Sequence, residues 1–98
     1  MQIQKTQEDA ALTLSLRGRL DTIAAQSLES ALKSSLDGID RLILDCAELA
    51  YISSAGLRVL LFAQKQMSKH GGMTLRNVSP GIMEVFEITG FSGILTVE

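Results

Sequence analysis

The chain alternates short apolar segments with longer ones in which apolar residues recur every three or four positions. Strict alternation over Leu12–Leu16 (LTLSL) predicts a strand with one buried and one solvated face. The continuous apolar run within Arg41–Cys46 predicts a central strand covered on both faces. Further strands are predicted at Ile3–Gln7, at the edge of the sheet, and at Met73–Val78 and Ile94–Val97.

Three segments with helical spacing separate these strands. The first is predicted to begin at Asp21 or Thr22 and to end at Gly38. The second is predicted to run from about Ser54 to His70, before Gly71-Gly72. The third is predicted to begin at Ser79, followed by Pro80, and to end at Gly90. The resulting order is ββαβαβαβ. Repeated βα units with short connections predict an α/β fold with a mixed, mostly parallel sheet and helices packed against it.

Composition narrows the class of protein. The 98 residues fit one domain, 1–98, and an apolar share of 46% with only 4% aromatic residues predicts an aliphatic core. A net charge of −2 with scattered lysine and arginine argues against a nucleic-acid binder.

The lone Cys46 is predicted to be a buried core residue. No signal-peptide core or membrane-length apolar run is found, so we expect a cytoplasmic protein that does not contact membrane.

Residues that could carry catalysis are scarce. The only histidine, His70, lies beside two glycines at a predicted helix end, and no phosphate-binding loop or metal-ligand spacing is present. The segment Ser53-Ser54-Ala55-Gly56 lacks the leading glycine of a nucleophile elbow. We therefore predict no enzyme activity, no catalytic residue, no cofactor and no metal.

The serine pair Ser53-Ser54 is the most informative feature, because it opens a helix directly after a buried strand and a short loop. A serine there can simply cap the helix. It can also carry a phosphate favourably, since free backbone N–H groups and the positive end of the helix dipole face that position. From local sequence alone both interpretations stay open, for either serine.

The chain resembles the STAS domain (sulfate transporter and anti-sigma-factor antagonist), and in particular the single-domain bacterial anti-sigma-factor antagonists. The resemblance covers nearly all of Leu12–Val97 and lies in the order and spacing of several motifs. These are Gly18-Arg19-Leu20-Asp21, Leu42-Ile43-Leu44-Asp45, Tyr51-Ile52-Ser53-Ser54-Ala55-Gly56-Leu57, Gly71-Gly72, Val78-Ser79-Pro80 and Phe86-Glu87-Ile88-Thr89-Gly90.

The resemblance implies a phosphorylation switch at Ser54. The family commonly has an aspartate before the acceptor serine, and Ser53 stands at that position here, with Ala55 after the acceptor. In the family, the unphosphorylated antagonist binds an anti-sigma factor with serine kinase activity and frees the sigma factor. Phosphorylation separates the pair, and a PP2C-type phosphatase reverses the modification.

The expected partner-binding surface gathers where parallel strands end at one edge of the sheet. Its predicted residues are Asp21, Thr22, Tyr51, Ser53, Ser54, Ala55, Gly56 and Arg58, with Lys65 further along the exposed side of the second helix and Ile52 buried. We expect a monomer or weak dimer. Two alternatives stay open: an interaction subunit of a lipid-transport or signalling assembly, and a nucleotide-binding STAS module, for which the sequence offers no phosphate loop.

Overall fold

A computed structural model describes all residues, 1–98. The strands are β1 (Gln2–Glu8), β2 (Ala11–Leu20), β3 (Arg41–Ile52) and β4 (Met73–Arg76), and the helices are α1 (Thr22–Ser35), α2 (Ser54–Met67) and α3 (Pro80–Thr89). A short 3-10 turn, Phe91–Gly93, follows α3. The predicted element order is therefore confirmed as far as the third helix.

The sheet has the order β1-β2-β3-β4, in which only β1 runs antiparallel to its neighbour. This is the mixed, mostly parallel sheet that the sequence predicts. Because β2 and β3 are parallel, their carboxyl ends lie at the same edge, with Leu20 paired to Ile52. The segments that follow both strands therefore start side by side.

The core lies on one face of the sheet. All three helices contribute to a single cluster of 24 buried apolar residues. The alternation predicted in β2 is confirmed, since Leu12, Leu14 and Leu16 are fully buried. In β3, however, Leu42 and Leu44 are buried while Ile43 is only half-buried. The prediction that β3 is covered on both faces is wrong, because no helix packs on the opposite face.

β3 is longer than predicted, continuing past Cys46 to Ile52. Its pairing with β2 slips twice, and each slip gives β3 one extra residue relative to its neighbour. Beyond Cys46 the buried positions are therefore Leu49 and Ile52, three residues apart rather than two. The short loop predicted before the serine pair is in fact strand.

The predicted last strand, Ile94–Val97, is reduced to one bridge between Val97 and Leu75. Two backbone hydrogen bonds hold it, from Leu75 N to Thr96 O and from Glu98 N to Leu75 O, both 2.8 Å. The partner strand β4 is too short to support more, because it ends before Asn77, whose φ is +60°. Two further ends are predicted too late. β4 ends at Arg76, two residues before the predicted Val78, and α2 ends at Met67, three residues before the predicted His70.

Candidate functional site

The serine pair lies at the sheet edge where β2 and β3 end. The backbone N–H of Ser53 donates to the carbonyl oxygen of Leu20 at 2.9 Å, so the start of α2 is tied to the last residue of β2. Asp21 follows directly and caps α1, its carboxylate accepting from Ala24 N at 2.9 Å. Of the two predicted caps for this helix, Asp21 is confirmed. Both helices thus begin next to each other.

Ser53 and Ser54 have different roles in the structure. Ser53 is half-buried, and its Oγ accepts a hydrogen bond from Gly56 N at 3.1 Å, so it is the N-cap of α2. Ser54 is the first helical residue; it is exposed, and no protein group hydrogen-bonds to its hydroxyl. The capping interpretation therefore applies to Ser53, which leaves the Ser54 hydroxyl free.

Gly56 allows the first turn of α2 to pack closely on the strand ends. A Cβ atom at this position would lie 2.8 Å from Leu20 Cγ, 2.9 Å from Ile52 Cγ1 and 3.0 Å from Leu20 O. Real Cβ atoms essentially never come as close as the first two distances and rarely as close as the third, and the Leu20 oxygen is held by its bond to Ser53 N. The glycine thus sets how near Ser54 sits to the sheet edge.

Two exposed hydrophobic side chains belong to the elements that adjoin the serine pair, the start of α1 and the end of β3. Ile23, in the first turn of α1, is 76% exposed, and Tyr51 is 39% exposed while Ile52 is buried as expected. The guanidinium of Arg19 lies 4.1 Å from the centre of the Tyr51 ring, within cation–π range. Sequence reasoning missed Ile23 and Arg19. Ile23 could have been found as an apolar residue out of phase with the buried Ala24 and Leu28.

A groove of about 400 Å³ runs between α1 and α2 from this edge. Three predicted site residues line it: Thr22, Ala55 and Arg58. Its other lining residues are Ala25, Gln26, Glu29, Lys33, Val59 and Phe62. Lys65 is exposed but does not line the groove, and Tyr51 pairs with Arg19 on the face of the sheet away from the core. Of the predicted surface, the structure thus places three residues in the groove and Asp21, Ser53, Ser54 and Gly56 at the helix starts beside it.

The single cysteine lies in an environment that disfavours its thiolate form. Burial, with a smaller contribution from the charge of Asp45, raises the pKa of the Cys46 thiol to about 12. This thiol is therefore protonated at neutral pH and, as predicted, is part of the core.

No group of three or more His, Cys, Asp or Glu side chains is placed to hold a metal ion. None of the helices is long and apolar enough to cross a membrane.

The fold is that of a STAS domain. The STAS domain family model matches residues 2–98, and the chain belongs to this family. The resemblance noted in the sequence is thereby confirmed.

Two relatives connect the chain to anti-sigma factor antagonists. It is 39% identical over 99 residues to the candidate anti-sigma factor antagonist BtrV of Bordetella bronchiseptica, a match that covers 99% of this chain and 85% of the relative. It is 26% identical over 92 residues to the anti-sigma-B factor antagonist of Bacillus subtilis, covering 93% of this chain and 84% of the relative.

Solved structures confirm the fold. The anti-sigma factor antagonist SpoIIAA in its unphosphorylated form matches with a TM-score of 0.78 at 18% identity, over 99% of this chain and 87% of the other. The phosphorylated form of SpoIIAA, a Bacillus cell fate determinant, matches with a TM-score of 0.77 at 19% identity, over 99% and 91% of the two chains. The fold of this chain is thus equally close to both forms of that protein.

Proposed function

We propose that this chain is an anti-sigma factor antagonist switched by phosphorylation of Ser54. The unphosphorylated form binds an anti-sigma factor that is also a serine kinase, and so frees the sigma factor. The observation that carries the proposal is that the two adjacent serines have different structural roles. Ser53 supplies the helix cap, which leaves the exposed Ser54 hydroxyl available to a kinase.

The chemistry at Ser54 is phosphoryl transfer from ATP. A bond forms between Ser54 Oγ and the γ-phosphorus as the bond from that phosphorus to the bridging oxygen of ADP breaks, and the hydroxyl proton is released. The kinase supplies the catalytic groups, so this chain needs none and acts as the substrate. A PP2C-type phosphatase would reverse the step by hydrolysis.

The modification should leave the fold intact. A phosphate adds about −1.5 to −2 charges at a helix start, where free N–H groups and the helix dipole favour it. The switch should therefore work at the surface, through repulsion and altered contacts with the partner.

The proposed docking surface surrounds Ser54 at the edge where the strands end. It includes the capping residues Asp21 and Ser53, the exposed Thr22, the first turn of α2 with Ala55 and Gly56, the half-exposed Tyr51, and Arg58. We propose that residues 1–98 act as one domain, as a monomer or weak dimer in the cytoplasm, and without enzyme activity.

The test is incubation of the protein with the anti-sigma factor kinase of its own organism and ATP, followed by mass spectrometry of the tryptic peptide 42–58. The unmodified protein and Ser53→Ala should each gain one phosphate on Ser54, whereas Ser54→Ala should gain none and still bind the kinase. Ser54→Asp should bind more weakly. Phosphate on Ser53, or equally tight binding by Ser54→Asp, would refute the proposal. No transfer at all would favour an interaction subunit of another assembly.

A further inference from the structure

Arg58 is an exposed cation without a partner, one helical turn from Ser54. The three ion pairs of the structure join Arg17 to Glu48, Lys33 to Glu29 and Arg76 to Glu98, and Arg58 belongs to none of them. Its side chain lines the groove between α1 and α2. In the unmodified protein this guanidinium is thus free to pair with an acidic group that enters the groove.

Ser54 and Arg58 stand four residues apart in α2, so they lie on the same face of the helix. Long side chains in helices lean back over the turn that precedes them, which directs Arg58 toward Ser54. An acidic group four residues before a basic one is also the more favourable of the two orders. A phosphate on Ser54 would therefore lie within reach of the Arg58 guanidinium.

We infer that phosphorylation of Ser54 captures Arg58 in an intrahelical phosphate–guanidinium pair and so removes from the groove the cation that binds a carboxylate of the partner. The inference rests on the proposed function and adds a second component to the switch. The phosphate repels the partner and also withdraws one of its contacts.

The charges around Arg58 favour its pairing with a phosphate on Ser54. Glu29 faces the same groove from α1, but its carboxylate is already 3.5 Å from Lys33 Nζ. Asp21 lies at the neighbouring helix start, where its carboxylate accepts from Ala24 N. A phosphate carries up to two negative charges and can accept two parallel hydrogen bonds from the planar guanidinium. A carboxylate can accept the same pair of bonds but carries only one charge, so it attracts the guanidinium less strongly. Arg58 should therefore prefer phosphorylated Ser54 to either acid.

A titration that needs neither kinase nor partner tests the capture directly. Phosphoserine is incorporated at position 54 during translation, and its second ionisation is followed by 31P NMR in the otherwise unchanged protein, in Arg58→Gln and in Lys65→Gln. Lys65 is the matched control, since it is an exposed cation on the same helix but lies eleven residues, or about 16 Å along the axis, from Ser54. Capture predicts a higher phosphate pKa in Arg58→Gln than in the other two proteins. Equal pKa values in all three would overturn the inference.

A binding measurement then tests whether the capture contributes to the switch. The kinase used to phosphorylate Ser54 is titrated, in the presence of ADP, with phosphorylated and unphosphorylated forms of the unchanged protein and of Arg58→Gln. The factor by which phosphorylation weakens binding should be about two- to fivefold smaller for Arg58→Gln than for the unchanged protein, because the variant has no cation to withdraw at position 58. An identical loss in both proteins would overturn the inference even if Ser54 phosphorylation itself is confirmed.

Discussion

At the scale of single residues, the site is defined by two adjacent serines that the fold treats differently. Ser53 ends the extended backbone of β3 and turns its hydroxyl to the N–H of Gly56, whereas Ser54 already has helical geometry and faces solvent. A one-residue difference in position thus separates a structural hydroxyl from one that can be modified.

The capping role predicts a difference in stability between two otherwise similar variants. Ser53→Ala should lower the free energy of unfolding by about 0.5–2 kcal/mol, because the Gly56 N–H loses its acceptor. Ser54→Ala should change it by less than about 0.5 kcal/mol, since its hydroxyl bonds to nothing in the protein. Urea denaturation of both variants measures the difference. A larger loss in Ser54→Ala would mean that the caps are assigned in the wrong order.

Gly56 allows a second comparison. In an open helix position, alanine in place of glycine stabilises by up to about 1 kcal/mol. Gly56→Ala should instead destabilise, because the new methyl group would meet Leu20 and Ile52 at less than 3.0 Å. Gly81→Ala in α3 is the matched control, since nothing lies within 4 Å of its Cβ position. Thermal melting should show a lower Tm for Gly56→Ala only, and an unchanged or raised Tm for both would contradict the close packing.

At the scale of the elements, the sequence predicted what depends on local pattern and missed what depends on pairing. The alternation in β2 and the Ser79-Pro80 start of α3 are local, and both are confirmed. The continuation of β3 to Ile52 depends on two slips against β2, which disturb the period of two and are invisible in β3 alone. The missing last strand likewise reflects how early β4 ends.

The buried side of α2 gives a test at this scale. Leu60 is 1% exposed within the core, so Leu60→Ala should lower the free energy of unfolding by about 2–5 kcal/mol. Leu61→Ala makes the same chemical change at a half-buried neighbour and should cost clearly less. Chemical denaturation of both variants checks the helix face. A loss below about 0.5 kcal/mol for Leu60→Ala would mean that the face is assigned wrongly.

At the scale of the whole molecule, every helix packs on one face of the sheet, and the proposed partner surface occupies one edge. The sequence predicted this edge because parallel strands place their following segments together. It could not predict that the groove lies between α1 and α2, or that Arg19 stacks on the Tyr51 ring. These depend on how the helices are rotated against the sheet and on the register of β2 with β3.

The location of the partner surface is tested by reversing a charge on it. Arg58→Glu should weaken binding to the anti-sigma factor kinase and leave the Tm nearly unchanged, because Arg58 is exposed and unpaired. Arg41→Glu is the control: it makes the same change at an exposed residue that begins β3, at the opposite edge. Calorimetric titration at low and moderate salt measures both. Undiminished binding by Arg58→Glu would place the interface elsewhere.

The extension of β3 to Ile52 has a consequence for the dynamics of the switch. The amide of Ser53 donates to the Leu20 carbonyl at the ends of the two central strands, so its hydrogen exchange should require these strand ends to separate. The backbone that carries the neighbouring Ser54 hydroxyl is therefore already ordered, so a kinase that binds it should lose little conformational entropy in ordering its substrate. The proposed acceptor thus lies on ordered backbone, so we expect the rate of modification to depend on docking rather than on local unfolding.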